Sequence, residues 1–213
     1  LISSLPEGSI GAPAVRPVFD ADDCTITIPG DVGYSALGHN LYALGGEFSG
    51  ACAVLSSLMT FGYLWNMVRV QGGAYGAFCN LDRLGGTLVC ASYRDPNVDD
   101  TLAAFDGMAE YLHTFSPDKA QLTQAIVGAV GDLDSYLLPD AKGAQSLSRW
   151  LTDDTDAARA LMREEILSTT EKHFREFVEV LAEAARSGST CVLGGPKTEA
   201  AAKEHGWSST KLV

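Results

Sequence analysis

The 213 residues are 46% hydrophobic, enough to bury a substantial core in one large domain or two small ones. A formal net charge of −12 argues against nucleic acid or an anionic membrane as a partner, because both reward patches of Lys and Arg. The acid surplus reads first as solvated faces, and secondarily as tolerance for cationic peptides.

The first residue is Leu1 rather than Met, and no basic-then-apolar signal segment follows, so the expectation is a trimmed piece of a longer polypeptide. Residues 1–21 hold Pro6, Gly8, Gly11, Pro13 and Pro17 and read as an extended linker, with the folded domain spanning 22–213. From Cys24 the alternation Cys24, Ile26, Ile28 predicts a half-buried strand, which Pro29 and Gly30 interrupt before Tyr34–Leu37 resume an extended pattern. Residues 47–70 are apolar nearly all round, as in a helix buried on several sides, and Gly62 is expected to divide it in two. Strands are predicted over Tyr75–Leu81 and Thr87–Ser92. Between them Asp82-Arg83-Leu84-Gly85-Gly86 has glycines able to take the positive φ of a hairpin turn.

Further on, Asn97 is expected to cap a helix with Asp99 and Asp100 in its first turn and Leu102, Phe105, Ala109 and Leu112 on one face. Ser116 and Pro117 open another, striped by Leu122, Ala125, Ile126, Ala129, Val130 and Leu133, which Pro139 closes. Asp153–Leu167 reads as a charged, exposed helix. Ser168 and Glu171 form a capping box for a further helix that runs to Gly188. Thr190–Leu193 is a short strand, and a last helix near Thr198–His205 ends at Gly206. This order packs most simply as α+β, one layer of helices on one sheet. The five cysteines are scattered, odd in number and without a CxxC pair, and read as reduced core residues that favour an intracellular compartment.

Self-sufficient chemistry is hard to find. None of His39, His113, His173 and His205 sits in H-E-x-x-H or H-x-x-E-H, and His173-Phe174-Arg175-Glu176-Phe177 lacks the second imidazole, so no metal site is expected. No G-x-S-x-G elbow surrounds any serine. Gln71-Gly72-Gly73-Ala74-Tyr75-Gly76 runs from helix to strand, the reverse of a phosphate-cradling loop, and Leu193-Gly194-Gly195-Pro196 lacks Lys-Ser/Thr. Gly72 and Gly73 then serve either a tight helix-to-strand connection or the close approach of a ligand backbone. Arg69 and Tyr75 flank that turn and can converge on one spot, two donors suited to a peptide carbonyl or its developing oxyanion.

The segment Arg69-Val70-Gln71-Gly72-Gly73-Ala74-Tyr75-Gly76 resembles the R-x-x-G-G-A-Y-G signature of the C-terminal half of pitrilysin and insulinase-type zinc peptidases. Ser92-Tyr93-Arg94-Asp95-Pro96-Asn97 and the stretch from Asp132-Leu133-Asp134 to Lys142-Gly143 are similar to the presequence-protease and falcilysin branch. The resemblance implies a two-layer domain of the mitochondrial-processing-peptidase-like metallohydrolase fold, with a β-α-β-β-α-α core. It also implies that this is the last of four homologous domains, arranged as two halves that close on short unstructured peptides. The zinc and its H-x-x-E-H helix would then belong to the N-terminal half of the same polypeptide, and the fragment alone would bind no zinc and be inactive. Arg69 and Tyr75 would hold the substrate carbonyl across the chamber, and Gly72, Gly73 and Ala74 would border the substrate. The parent would work in a bacterial cytoplasm or an organelle matrix, with no nucleic-acid or membrane partner. Two other readings stand beside this one. The first is a structural or interaction subunit of the same fold, which an H-x-x-E-H motif upstream would rule out. The second is a small-ligand module at Gly72–Gly76, disfavoured by the scarcity of charge near that turn in the sequence.

Overall fold

The computed structural model describes residues 22–212, so the linker expected over 1–21 lies outside the described residues. The chain runs through strands β1 (Cys24–Thr27) and β2 (Tyr34–Asn40), a 3-10 turn (Tyr42–Leu44), and helix α1 (Gly50–Leu58), which continues unbroken as a π-helix over Met59–Gln71. After the hairpin of β3 (Gly76–Leu81) and β4 (Thr87–Tyr93) come helices α2 (Asp99–Asp106), α3 (Met108–Thr114), α4 (Lys119–Leu133), α5 (Pro139–Leu151), α6 (Asp156–Leu167) and α7 (Glu171–Ser187). Strand β5 (Ser189–Gly194), helix α8 (Pro196–His205) and strand β6 (Ser208–Lys211) follow.

The strands make one mixed sheet in the order β3-β4-β2-β5-β1-β6. β1 lies parallel to both β5 and β6, and the remaining pairs are antiparallel. Helices cover the face that carries Leu37, Cys79, Leu81, Leu88 and Cys90, so the expected two-layer α+β arrangement is what forms. Alternation in β1 has the opposite sense to the apolar pattern. Thr25 and Thr27 are the buried positions, while Cys24 and Ile26 lie half-buried on the other face. Thr25 satisfies its hydroxyl on the Ser208 carbonyl, which lets a polar residue occupy the interior.

Several expected boundaries move, each for a local reason. Gly62 does not break the long helix. It stays inside the π-wound stretch, where Asn66 donates its side-chain amide to the Gly62 carbonyl at 3.1 Å. By length and composition Gly50–Gln71 would suffice to cross a membrane, with mean hydropathy 1.3. Here Val54, Leu55, Met59, Leu64 and Val68 instead pack into the core. Glu165 of α6 accepts from the Gly50 amide at 2.7 Å, a cap supplied 115 residues away that no local pattern reveals.

Asn97 is not the cap of α2, which starts after Val98 without a side-chain cap. Asp95 takes over the stabilising role, accepting from Thr101 Oγ1 at 2.6 Å and from the Asn97 amide at 2.9 Å. Pro139 opens α5 at its first turn instead of only closing the preceding segment, as suits a residue with no amide hydrogen to offer. Asp118 with Gln121 caps α4, one residue beyond Pro117. Thr170 with His173, not Ser168 with Glu171, forms the capping box of α7, so His173 serves a helix end rather than pairing with Glu176. β6 has no counterpart in the expected elements. The hairpin turn does follow expectation, with Gly86 at φ 68°.

Candidate functional site

Helix-to-strand geometry builds the site. At the end of the π-wound stretch the Gly72 amide reaches back five residues to the Met67 carbonyl at 3.0 Å, and the Gly73 amide bonds the Arg69 carbonyl at 3.0 Å. Gly73 sits at φ 78°, the left-handed conformation that ends helices and that a Cβ penalises. A Cβ on Gly72 would stand 2.6 Å from the Val68 carbonyl oxygen, so this glycine is required by the helix end itself. The Ala74 amide bonds the Val68 carbonyl at 3.1 Å, and Asn97 donates its side-chain amide to the Gly72 carbonyl at 2.5 Å. The turn is thereby tied both to the helix and to the loop after β4.

Arg69 and Tyr75 converge, as their spacing allows. Arg69 donates Nε to the Tyr75 carbonyl at 3.1 Å, and its guanidinium lies 4.0 Å above the Trp65 ring. That leaves the terminal guanidinium donors uncommitted. The Tyr75 side chain is 69% exposed, and its ring meets Tyr93 edge-on at 6.0 Å, which in turn meets Tyr34 at 5.5 Å. The Tyr75 amide is shared between the carbonyls of Tyr93, at 3.0 Å, and Arg94, at 3.3 Å.

Both residues border a shallow open pocket of about 560 Å³, lined by Val32, Arg69, Gly73, Ala74, Tyr75 and Arg94. Of the residues the sequence singles out, Gly72 alone is not on the lining, and Ala74 contributes from a buried position. Arg94 is the functional candidate that residue reasoning missed. It stands 19 residues beyond Tyr75, and only the β3–β4 pairing brings it back to the turn. The charge that seemed scarce around Gly72–Gly76 is therefore supplied from the end of β4. No carboxylate lines the pocket among the described residues, so a strongly acidic chain presents a locally cationic surface here.

Among the described residues no three His, Cys, Asp or Glu side chains gather in a way that would hold a metal ion. The donor set at the pocket, guanidinium and phenol, does not suit zinc either, so a zinc ion does not fit these residues.

The chain is similar to several known proteins. Over 156 residues the chain is 45% identical to Presequence protease 1, chloroplastic/mitochondrial, of Arabidopsis thaliana, covering 73% of this chain and 14% of that protein. It is 38% identical over 165 residues to Protein HypA of Clostridium perfringens, covering 78% and 17% of the two chains. This chain thus spans less than a fifth of these curated relatives. The crystal structure of the peptidase M16 inactive domain from Pseudomonas fluorescens shares the fold, with a TM-score of 0.59 at 18% identity over 91% of this chain and 48% of that one. Residues 23–193 match the family model described as the PreP C-terminal domain, and the chain belongs to that family.

Proposed function

We propose that this domain, spanning 22–213, is the C-terminal, non-catalytic part of a zinc metalloendopeptidase that degrades short unstructured peptides. In this reading Arg69 and Tyr75 bind the substrate carbonyl from across a closed chamber. The zinc resides in the N-terminal half of the same polypeptide. An organelle matrix suits the parent enzyme, given that the Arabidopsis relative is named chloroplastic and mitochondrial.

One observation carries the assignment. Arg69 is fixed through Nε to the Tyr75 backbone, so its remaining donors and the Tyr75 hydroxyl face the same open pocket with no partner of their own among the described residues. As water adds to a peptide carbonyl, the oxygen gains negative charge, and two donors already in place stabilise it without reorganising. Burial of the pocket when the opposite half closes over it would strengthen both interactions by excluding water. Gly73 and Ala74 form a wall low enough for an extended peptide backbone to approach.

Steady-state kinetics on the full-length enzyme test this. Tyr75→Phe removes one hydroxyl from an exposed ring, so it should lower kcat by roughly 10²–10³-fold and leave the melting temperature unchanged. Undiminished turnover in that variant would sink the assignment.

A further inference from the structure

We propose that Arg94 is a specificity residue that binds a carboxylate of the peptide substrate, either an acidic side chain or the C-terminal carboxylate. The inference rests on the reading of the pocket as the substrate site.

Arginine pairing in the rest of the domain sets the pocket apart. Arg83, Arg149, Arg159, Arg163, Arg175 and Arg186 all form ion pairs with Asp or Glu. Among the described residues, only the two arginines that line the pocket, Arg69 and Arg94, have no carboxylate partner. In a chain with 27 acidic residues against 15 basic ones, two unneutralised guanidinium groups sharing one concavity leave a local site for an anion. Arg69 is committed through Nε to the Tyr75 carbonyl and stacks on Trp65, whereas the Arg94 side chain has no hydrogen bond among the described residues.

Backbone structure holds Arg94 where it is. It sits at φ 49°, a left-handed conformation that costs a residue with a Cβ about 1 kcal/mol or more, and such strain persists only where the surroundings impose it. Those surroundings are specific. The Tyr75 amide donates to the Arg94 carbonyl, and the next residue, Asp95, exchanges two backbone hydrogen bonds with Gly33, at 2.7 and 2.8 Å. The Asp95 side chain is itself fixed to Thr101 and to the Asn97 amide. A guanidinium projecting from so constrained a backbone offers a forked donor pair matched to a carboxylate.

The experiment uses the full-length peptidase and two matched peptide pairs, one comparing Glu with Gln at a single position and one comparing a free C-terminus with its amide. The quantity read is the ratio of kcat/KM within each pair. The wild-type enzyme is expected to favour the carboxylate member of at least one pair by about tenfold. Arg94→Gln should bring that ratio close to one, and Arg94→Lys should keep part of it. The pair that responds identifies whether the side chain or the terminus is bound. A wild-type ratio near one in both pairs, or a preference that survives in Arg94→Gln, overturns the proposal. Failure of the underlying reading shows separately, because turnover would then be insensitive to Tyr75→Phe.

Discussion

Arg69 owes its position to three contacts of different kinds: its carbonyl receives the Gly73 amide, its Nε holds the Tyr75 carbonyl, and its guanidinium rests on Trp65. That Arg69 and Tyr75 flank one turn was legible in the R-x-x-G-G-A-Y-G spacing, but the two hydrogen bonds were not. Trp65, four residues before Arg69, was read only as an apolar helix position, and Arg94 was not read as a site residue because strand pairing alone returns it to the turn. The cysteines show the same limit. Their reduced, apolar character was readable, but not that Cys79 faces Cys90 across β3–β4 or that Cys24 faces Cys191 across β1–β5. These neighbours have a chemical consequence. The adjacent Cys79 side chain and burial push the Cys90 thiol well up, burial raises Cys52, and burial together with Cys24 pushes Cys191 up to about 11. Since the thiolate is the reactive form, alkylation of the folded domain at pH 8 should leave Cys52 and Cys90 unmodified. Cys191 should react about a hundredfold more slowly than a free thiol. In urea all five should react, and mass spectrometry distinguishes the two states. Rapid labelling of native Cys52 or Cys90 would contradict the packing described.

At the scale of elements, strong periodicity was read correctly, as were the helix ends at Gly188 and Gly206, while several other boundaries were not. The hairpin, the long apolar helix and α7 all announce themselves through apolar spacing. Gly62 misled because glycine lowers helix propensity only modestly, and tertiary burial of Leu64 and Val68 outweighs that cost. Helix α5 has no counterpart in the expected elements, although Leu147, Trp150 and Leu151 share one face of it; none of its residues is buried. Asn97 misled in a more informative way. Its side chain reaches sideways to Gly72, while Asp95, buried to 1% exposure, accepts from the Asn97 amide and the Thr101 hydroxyl. Asp95 thereby joins the site turn to the start of α2. Replacing it by Ala leaves the Thr101 hydroxyl and the Asn97 amide without their buried acceptor, which should cost about 3 kcal/mol in urea unfolding. Asp95→Asn, which keeps one acceptor, should cost less. A loss within experimental error for Asp95→Ala would mean that water replaces the lost acceptor, contrary to the burial seen here.

Taken as a whole molecule, the sheet depends on strands far apart in the chain. β5 separates β2 from β1 and hydrogen-bonds both, so the start of the domain is held in place by residues 189–194. β6 was illegible for a physical reason: all four of its residues are exposed, and only pairing with β1 makes Ser208–Lys211 a strand. These two strands should respond differently to truncation. Deleting 208–213 removes an edge strand that buries no side chain, so the domain should still fold and melt a few degrees lower. It also uncovers the free edge of β1, which presents unpaired amides and carbonyls to other chains. Size-exclusion chromatography with light scattering should therefore detect concentration-dependent association absent from the intact domain. Deleting from Ser189 onward removes the internal strand and with it the covering of Thr25 and Ser35 at the sheet centre, so no cooperative thermal transition should remain. A cooperative melt in that shorter form would show that β1 is dispensable to the core, against the topology observed.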